Sequence, residues 1–441
     1  MPGALLTDLY ELNMAASYLK RRMDAPATFS LYVRNLPPER GFLVAAGLDA
    51  CLSYLESFAF DEDELAYLAT IGFDDAALDA FRRLRFDGDV WAVAEGTVVY
   101  ANEPILELTA PIAVAQLVES YVLNAITLHT TMASKATRYR VAAEGRNLVD
   151  FALRRTHGMD AAMAVTRASA IAGFVATSNV EGARRLGLRP SGTMAHSYIE
   201  SFDGEAEAFT AFAEDFPERP TFLVDTYDTL GGVRIAIEVI RQRGLEATSS
   251  IRIDSGDLDG LSRGARAMLD EAGMQEVRIF VSGGLDEREV ATLVRERAPI
   301  DAFGIGTQMG VSFDVPCLES VYKLVRYDGR PVVKLSTGKR TLPGEKQVWR
   351  GAGGDLVGLR DEDLPGERLL TEVMRAGART GEPCTIEAAR ARLERELAAV
   401  PAEALSLDAP RPRVAKVSQA LAALADQARA EALQRSARSS G

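Results

Sequence analysis

Seven short segments in the middle of the chain place polar and glycine residues directly after an apolar run: DFALRR, ATSNVEG, GTMAHS, VDTYDT, IRIDSGDL, VSGGLDE and FGIGTQMG. Together they suggest the handling of anions. Arg252 and Asp254 are two apart, so on a strand they share one face. An inward arginine at a strand end must meet an anion or a paired acid. Asp225, Asp254 and Asp257 are carboxylates suited to a ribose hydroxyl pair or, through water, to a Mg²⁺ ion carrying pyrophosphate. Asp257 and Asp228 also fall where helices begin, the usual place of a capping acid. Ser282, Gly283 and Gly284, and then Gly306 and Thr307, stand between a strand pattern and a helix pattern. Glycines there let backbone N–H groups approach a phosphate, which helix N-termini favour. GIGTQMG is one residue too long for a dinucleotide fingerprint and has no matching acid.

The chain has three histidines. His129 sits in an apolar helical stretch and reads as structural, while His157, in RRTHGMD, has no evident role. His196 ends GTMAHS among small residues that leave its ring accessible, beside Thr193 and Ser197, and is the candidate for chemistry. There is no GxxxxGK[ST] loop, HExxH, CxxC or GxSxG. STGKRT has a GK pair but no opening glycine, so any ATP used is not held by a P-loop.

What must position these residues is a series of strand–helix units. Apolar runs at 147–153, 173–176, 192–195, 221–224, 249–253, 277–281 and 300–303 read as buried parallel strands. Helical patterns such as GGVRIAIEVIRQRG, closing on Gly244, lie between them. Seven units predict an α/β fold, an irregular (β/α) barrel at 139–325 with reactive groups where strands end. Residues 1–138 mix helices with alternating strands, an α+β reading. Residues 326–441 read as a hairpin around Asp328-Gly329, then amphipathic helices packing on the first domain. Net charge is −13, which argues against nucleic-acid or anionic-membrane partners. No apolar run is long enough to span a bilayer and no secretory pattern opens the chain. Three scattered cysteines fit neither a disulfide framework nor a zinc site, and the expectation is a cytoplasmic protein.

In order from LLTDLYELNMA to VVKLSTGK, these motifs resemble the nicotinate phosphoribosyltransferase family. The resemblance implies a type II phosphoribosyltransferase, an N-terminal α/β sandwich domain plus an irregular barrel, working as a homodimer with shared sites. The reaction it implies joins nicotinate to phosphoribosyl pyrophosphate, with Mg²⁺, and with ATP hydrolysis through a phosphohistidine. Carried over by motif, His196 is the phosphorylated residue and Tyr10 the ring that stacks on the pyridine, supplied across the dimer. Thr193, Arg252, Arg154 and Arg155 become nicotinate and pyrophosphate contacts. Asp225 and Asp254 become the ribose and Mg²⁺-side acids. Ser282, Gly283, Gly284, Gly306 and Thr307 form the 5′-phosphate cradle, with Lys135, Arg138 and Asp150 as further candidates. Nicotinamide and quinolinate phosphoribosyltransferases are the related alternatives. A phosphate-binding barrel aldolase or isomerase would need a strand-end lysine, which is missing, and a binding scaffold would not need such polar loop ends.

Overall fold

The computed structural model describes residues 3–335 and 341–439, and divides into two units, Met1–Thr131 with Cys317–Gly441, and Met132–Pro316. The end of the VVKLSTGK segment and the GK pair of STGKRT lie outside the described residues.

In the second unit six strands form a parallel sheet in the order Ala176–Thr177, Asn147–Asp150, Ala302–Ile305, Arg278–Val281, Ser250–Ile253 and Thr221–Leu223. Leu148, Phe222, Ile251, Ile253, Ile279, Val281, Phe303 and Ile305 are buried, which explains why these runs are short and apolar. After most strands comes a helix opened by a side-chain cap. Asn179, Asp228 and Asp257 accept from Gly182 N, Gly231 N and Gly260 N, and Asp286 makes a full capping box with Glu289. Each cap satisfies an otherwise orphaned N–H, worth about 1 kcal/mol. Gly244 closes the Thr229–Arg243 helix at φ +64°, as its position in the sequence suggests.

The sheet differs from the expected seven-stranded barrel. Residues 192–195 form no strand, and only an isolated parallel bridge, Thr177 to Pro190, lies beside the outermost strand. Proline brings no N–H to a ladder, and Gly192 is exposed, so this stretch remains a loop. The result is a half-barrel.

In the first unit a seven-stranded sheet runs Arg330–Pro331, Ser320–Tyr327, Pro26–Val33, Leu106–Pro111, Asp89–Val93, Leu370–Arg375, Ala378–Arg379. Its neighbouring strands pair antiparallel, and the C-terminal part of the chain supplies both edges. Asp328 and Gly329, at φ +49° and +71°, turn the hairpin expected there. A four-stranded sheet of Glu367–Arg368, Lys346–Gly351, Gly354–Leu359 and Lys416–Val417 was not expected in a segment read as a hairpin followed by helices. The helices Ile386–Ala399 and Gln419–Ser439 follow the pattern that the sequence shows. No helix among the described residues is long and apolar enough to cross a membrane.

Candidate active site

The ends of the parallel strands converge on Arg252. Its strand alternates buried Ile251 and Ile253 with half-buried Arg252, so the guanidinium leaves the hydrophobic layer. Nε donates to Ser282 Oγ at 2.8 Å, and Nη1 to Thr193 Oγ1 at 2.9 Å and the Met194 carbonyl at 3.5 Å. Nη2 donates to Asp254 Oδ1 at 2.5 Å, and the Phe151 ring lies 5.4 Å from the guanidinium carbon. A guanidinium has five N–H donors. Among the described residues these four bonds leave one donor, on Nη2, for a ligand.

Asp254 is bound by the Ser282 hydroxyl as well as by Arg252. Burial would raise its carboxyl, but the Ser282 hydrogen bond and the Arg252 charge outweigh that and hold it below the usual carboxylate range. Its backbone explains a glycine. A Cβ on Gly283 would stand 1.8 Å from the Asp254 carbonyl oxygen, and Gly283 and Gly284 adopt φ of +112° and +80°. Only this pair lets the 282–284 turn lie against the neighbouring strand end.

Asp225 closes the other side. Its side chain is 1% exposed, and Oδ2 accepts from Asp254 N at 2.9 Å and Ser255 Oγ at 2.7 Å. Among the described residues Oδ1 has no hydrogen-bond partner, and it lies 3.9 Å from His196 Nε2. His196, at the start of the His196–Glu200 helix and 41% exposed, is 3.2 Å from Thr226 Oγ1 through Nδ1. A buried carboxylate oxygen that has no donor among the described residues thus faces an accessible imidazole. Thr226, Ser255 and Phe151 escape a reading of the sequence alone. The signal for Thr226 was its place directly after Asp225.

Other expected residues stand elsewhere. Asp257 is the helix cap, accepting from Gly260 N at 3.2 Å, the role that its place at a helix start allows. Lys135 and Arg138 do not offer free cations to a ligand: their side chains are 2% and 7% exposed and both pair with Glu287. Asp150 is buried and accepts from Ala152 N, Thr177 and Thr166, a structural role. Arg154 and Arg155 are exposed on the turn Leu153–Arg155, with His157 exposed just beyond. Thr307 is exposed at the head of the Thr307–Gly310 helix, after Gly306. His129 Nδ1 is 2.8 Å from the Ala125 carbonyl of its own helix. Tyr10 belongs to the first unit, 49% exposed on the Leu9–Lys20 helix beside exposed Leu6 and Leu9. Burial, then the Glu119 and Glu11 carboxylates, push its hydroxyl well up.

Fold and geometry define an α/β half-barrel protein with a polar site at the carboxyl ends of its strands. Residues 5–127 match the model of the nicotinate phosphoribosyltransferase N-terminal domain, and residues 146–348 that of the nicotinate phosphoribosyltransferase family. Nicotinate phosphoribosyltransferase pncB2 of Mycobacterium tuberculosis is 48% identical over 414 residues, 92% of this chain and 89% of that protein. Nicotinate phosphoribosyltransferase of Bacillus subtilis is 40% identical, over 83% of this chain and 78% of its own. The crystal structure of human nicotinic acid phosphoribosyltransferase superposes with a TM-score of 0.83 at 26% identity, covering 96% of this chain and 99% of that one. The chain belongs to the nicotinate phosphoribosyltransferase family.

Proposed function

We propose that this enzyme joins nicotinate to phosphoribosyl pyrophosphate in NAD biosynthesis, giving nicotinate mononucleotide and pyrophosphate, and that ATP drives it through phosphorylation of His196. The observation that carries the reading is the net of Arg252, Asp254, Ser282 and Asp225 at adjoining strand ends, beside an accessible imidazole. The remaining Nη2 donor of Arg252 faces the nicotinate carboxylate, and Thr193, Arg154 and Arg155 contribute to nicotinate and pyrophosphate contacts. Residues 282–284 with Gly306 and Thr307 hold the 5′-phosphate on backbone N–H groups and hydroxyls. Displacement at the anomeric carbon spreads positive charge over the ribose, which the fixed carboxylates of Asp225 and Asp254 stabilise.

With Nδ1 of His196 engaged by Thr226, Nε2 is the nitrogen that attacks the γ-phosphorus of ATP. An N–P bond forms, the bond to the leaving oxygen breaks, and ADP departs. Water later takes the phosphoryl group and frees the imidazole. Among the described residues no three His, Cys, Asp or Glu side chains cluster closely enough to cage a metal, and Asp257 is used as a cap. Mg²⁺ enters with the pyrophosphate substrate as its counter-ion. The exposed Leu6, Leu9 and Tyr10 fit a homodimer in which Tyr10 stacks on a pyridine in the partner's site. Three cysteines scattered along the chain suit a cytoplasmic setting.

The test supplies phosphoribosyl pyrophosphate and ATP with nicotinate, nicotinamide or quinolinate, and follows nucleotide formation and protein-bound phosphate. Nicotinate is expected to be strongly preferred, with an acid-labile, base-stable phosphate that His196→Asn abolishes. The variant should keep a slow, ATP-independent synthesis, and ATP should no longer lower its KM for phosphoribosyl pyrophosphate. Labelling that survives in His196→Asn would move the assignment to His157.

A further inference from the structure

Taking residues 282–284, Gly306 and Thr307 as the phosphate cradle proposed above, we propose that Lys135 is a positioning residue that fixes the spacing of the two cradle loops. Its Nζ lies 2.6 Å from Glu287 Oε2 and 2.9 Å from Asp314 Oδ1, on a side chain 2% exposed. The two acids come from different loops. Glu287 is the first residue of the Glu287–Arg295 helix, which continues from the 282–284 turn. Asp314 comes after the Thr307–Gly310 helix, which continues from Gly306. One ammonium from a third element, the Glu119–Ala143 helix, thus ties both together.

Neighbouring contacts stiffen each end of the tie. Arg138 Nε donates to the other oxygen of Glu287 at 2.7 Å, and the Tyr139 hydroxyl donates to the Leu285 carbonyl at 3.0 Å. The Asp286–Glu289 capping box fixes where the helix begins, so the turn between Val281 and Asp286 is pinned at both ends. Near Asp314, buried Ser312 adopts φ +43° and donates to the Val315 carbonyl at 2.7 Å. Burial would raise the Glu287 carboxyl, yet Lys135, then Arg138, hold it below the usual range, so the ion pairs persist at neutral pH. A cation compensated by two carboxylates within 3 Å would have to break a buried pair to reach a phosphate.

The experiment measures KM for both substrates, kcat and thermal midpoint in the full-length enzyme carrying K135M, K135R, E287Q, D314N or K135M/E287Q. Loosening the cradle by about an ångström should raise KM for phosphoribosyl pyrophosphate about 10- to 100-fold in K135M, with a smaller change for nicotinate. E287Q and D314N should move that KM in the same direction, and K135R should recover part of it. The K135M/E287Q effect should fall well short of the product of the single effects, because both remove one tie. If K135M raises this KM while E287Q or D314N leaves it unchanged or lowers it, Lys135 is a direct ligand and the inference fails. It also fails if K135M matches the wild type. Should K135M not fold, E287Q, D314N and K135R carry the same comparison. Thr307→Val reports on the cradle itself: an unchanged KM for phosphoribosyl pyrophosphate there overturns the reading beneath the inference, whatever Lys135 does.

Discussion

Replacing Arg252 by alanine removes four hydrogen bonds at once and leaves Asp254 without its cation. Loss of one partner of a desolvated charge pair costs about 2–5 kcal/mol. The pair that counts for catalysis is the one between Arg252 and the bound nicotinate carboxylate; the Arg252 side chain keeps some exposure, 11%, so water recovers part of this loss and the lower end, about 2–3 kcal/mol, applies. In kinetic terms that is a fall of roughly 30- to 150-fold in kcat/KM for nicotinate. The loss should appear mainly in nicotinate KM, since the remaining Nη2 donor is the one that meets its carboxylate. KM for phosphoribosyl pyrophosphate should change less, through the freed Ser282. Lysine, which carries charge but no fork, should restore only a minor part. Initial rates over a matrix of both substrates give the two constants together. An unchanged nicotinate KM in Arg252→Ala would refute the placement of Arg252 against the carboxylate.

Two further outcomes test other parts of the chain. If Tyr10 serves the partner's site, verified heterodimers of Tyr10→Ala with His196→Ala should recover about one competent site each, whereas inactive heterodimers would show that each site is built from one chain. In the first unit, burial, then the Asp355 carboxylate beside it, pushes Glu103 up from 4.5 to about 8. A carboxyl with a raised folded-state value opposes folding when ionised, so its contribution is fully present below pH 4.5 and is lost as pH rises towards 8. Thermal midpoints of Glu103→Gln should exceed those of the wild type increasingly across that window, and parallel curves would show that Glu103 titrates normally.

The strand ends were legible because parallel strands buried on both faces write themselves as short apolar runs, and because polar residues directly after such runs have few structural reasons to be there. Residues 192–195 mislead, since small and apolar residues in a row satisfy a strand pattern while Pro190 and the Arg252 contacts of Thr193 and Met194 decide for a loop. The C-terminal sheet was hidden by buried charge. Lys346, Gln347 and Asp355 lie within strands yet are buried, Lys346 against Glu107 and Asp355 against Arg350, so no alternation of apolar and polar types marks them. Lys135 and Arg138 mislead for the same reason in reverse: their partner Glu287 is far away in sequence, and nothing local shows that their charges are spent.

Asp225, Asp254 and Asp257 look alike in sequence, each an acid in a loop that follows an apolar run, yet they do different things. The neighbouring acid decides between the roles. In VDTYDT a second acid, Asp228, takes the cap, which frees Asp225 to bind the neighbouring loop through Asp254 N and Ser255 Oγ. In RIDSGDL, Asp257 takes the cap and Asp254 is left for Arg252 and Ser282. Each loop therefore spends one acid on its own helix and one on the next loop. Thr193, Arg252, Asp254, Ser282 and Asp225 form a single hydrogen-bonded chain across four loops, with His196 at its edge. A change at any link releases its neighbours, so effects on activity cannot be summed residue by residue. The site is better understood as one preorganised surface than as a set of separate contacts.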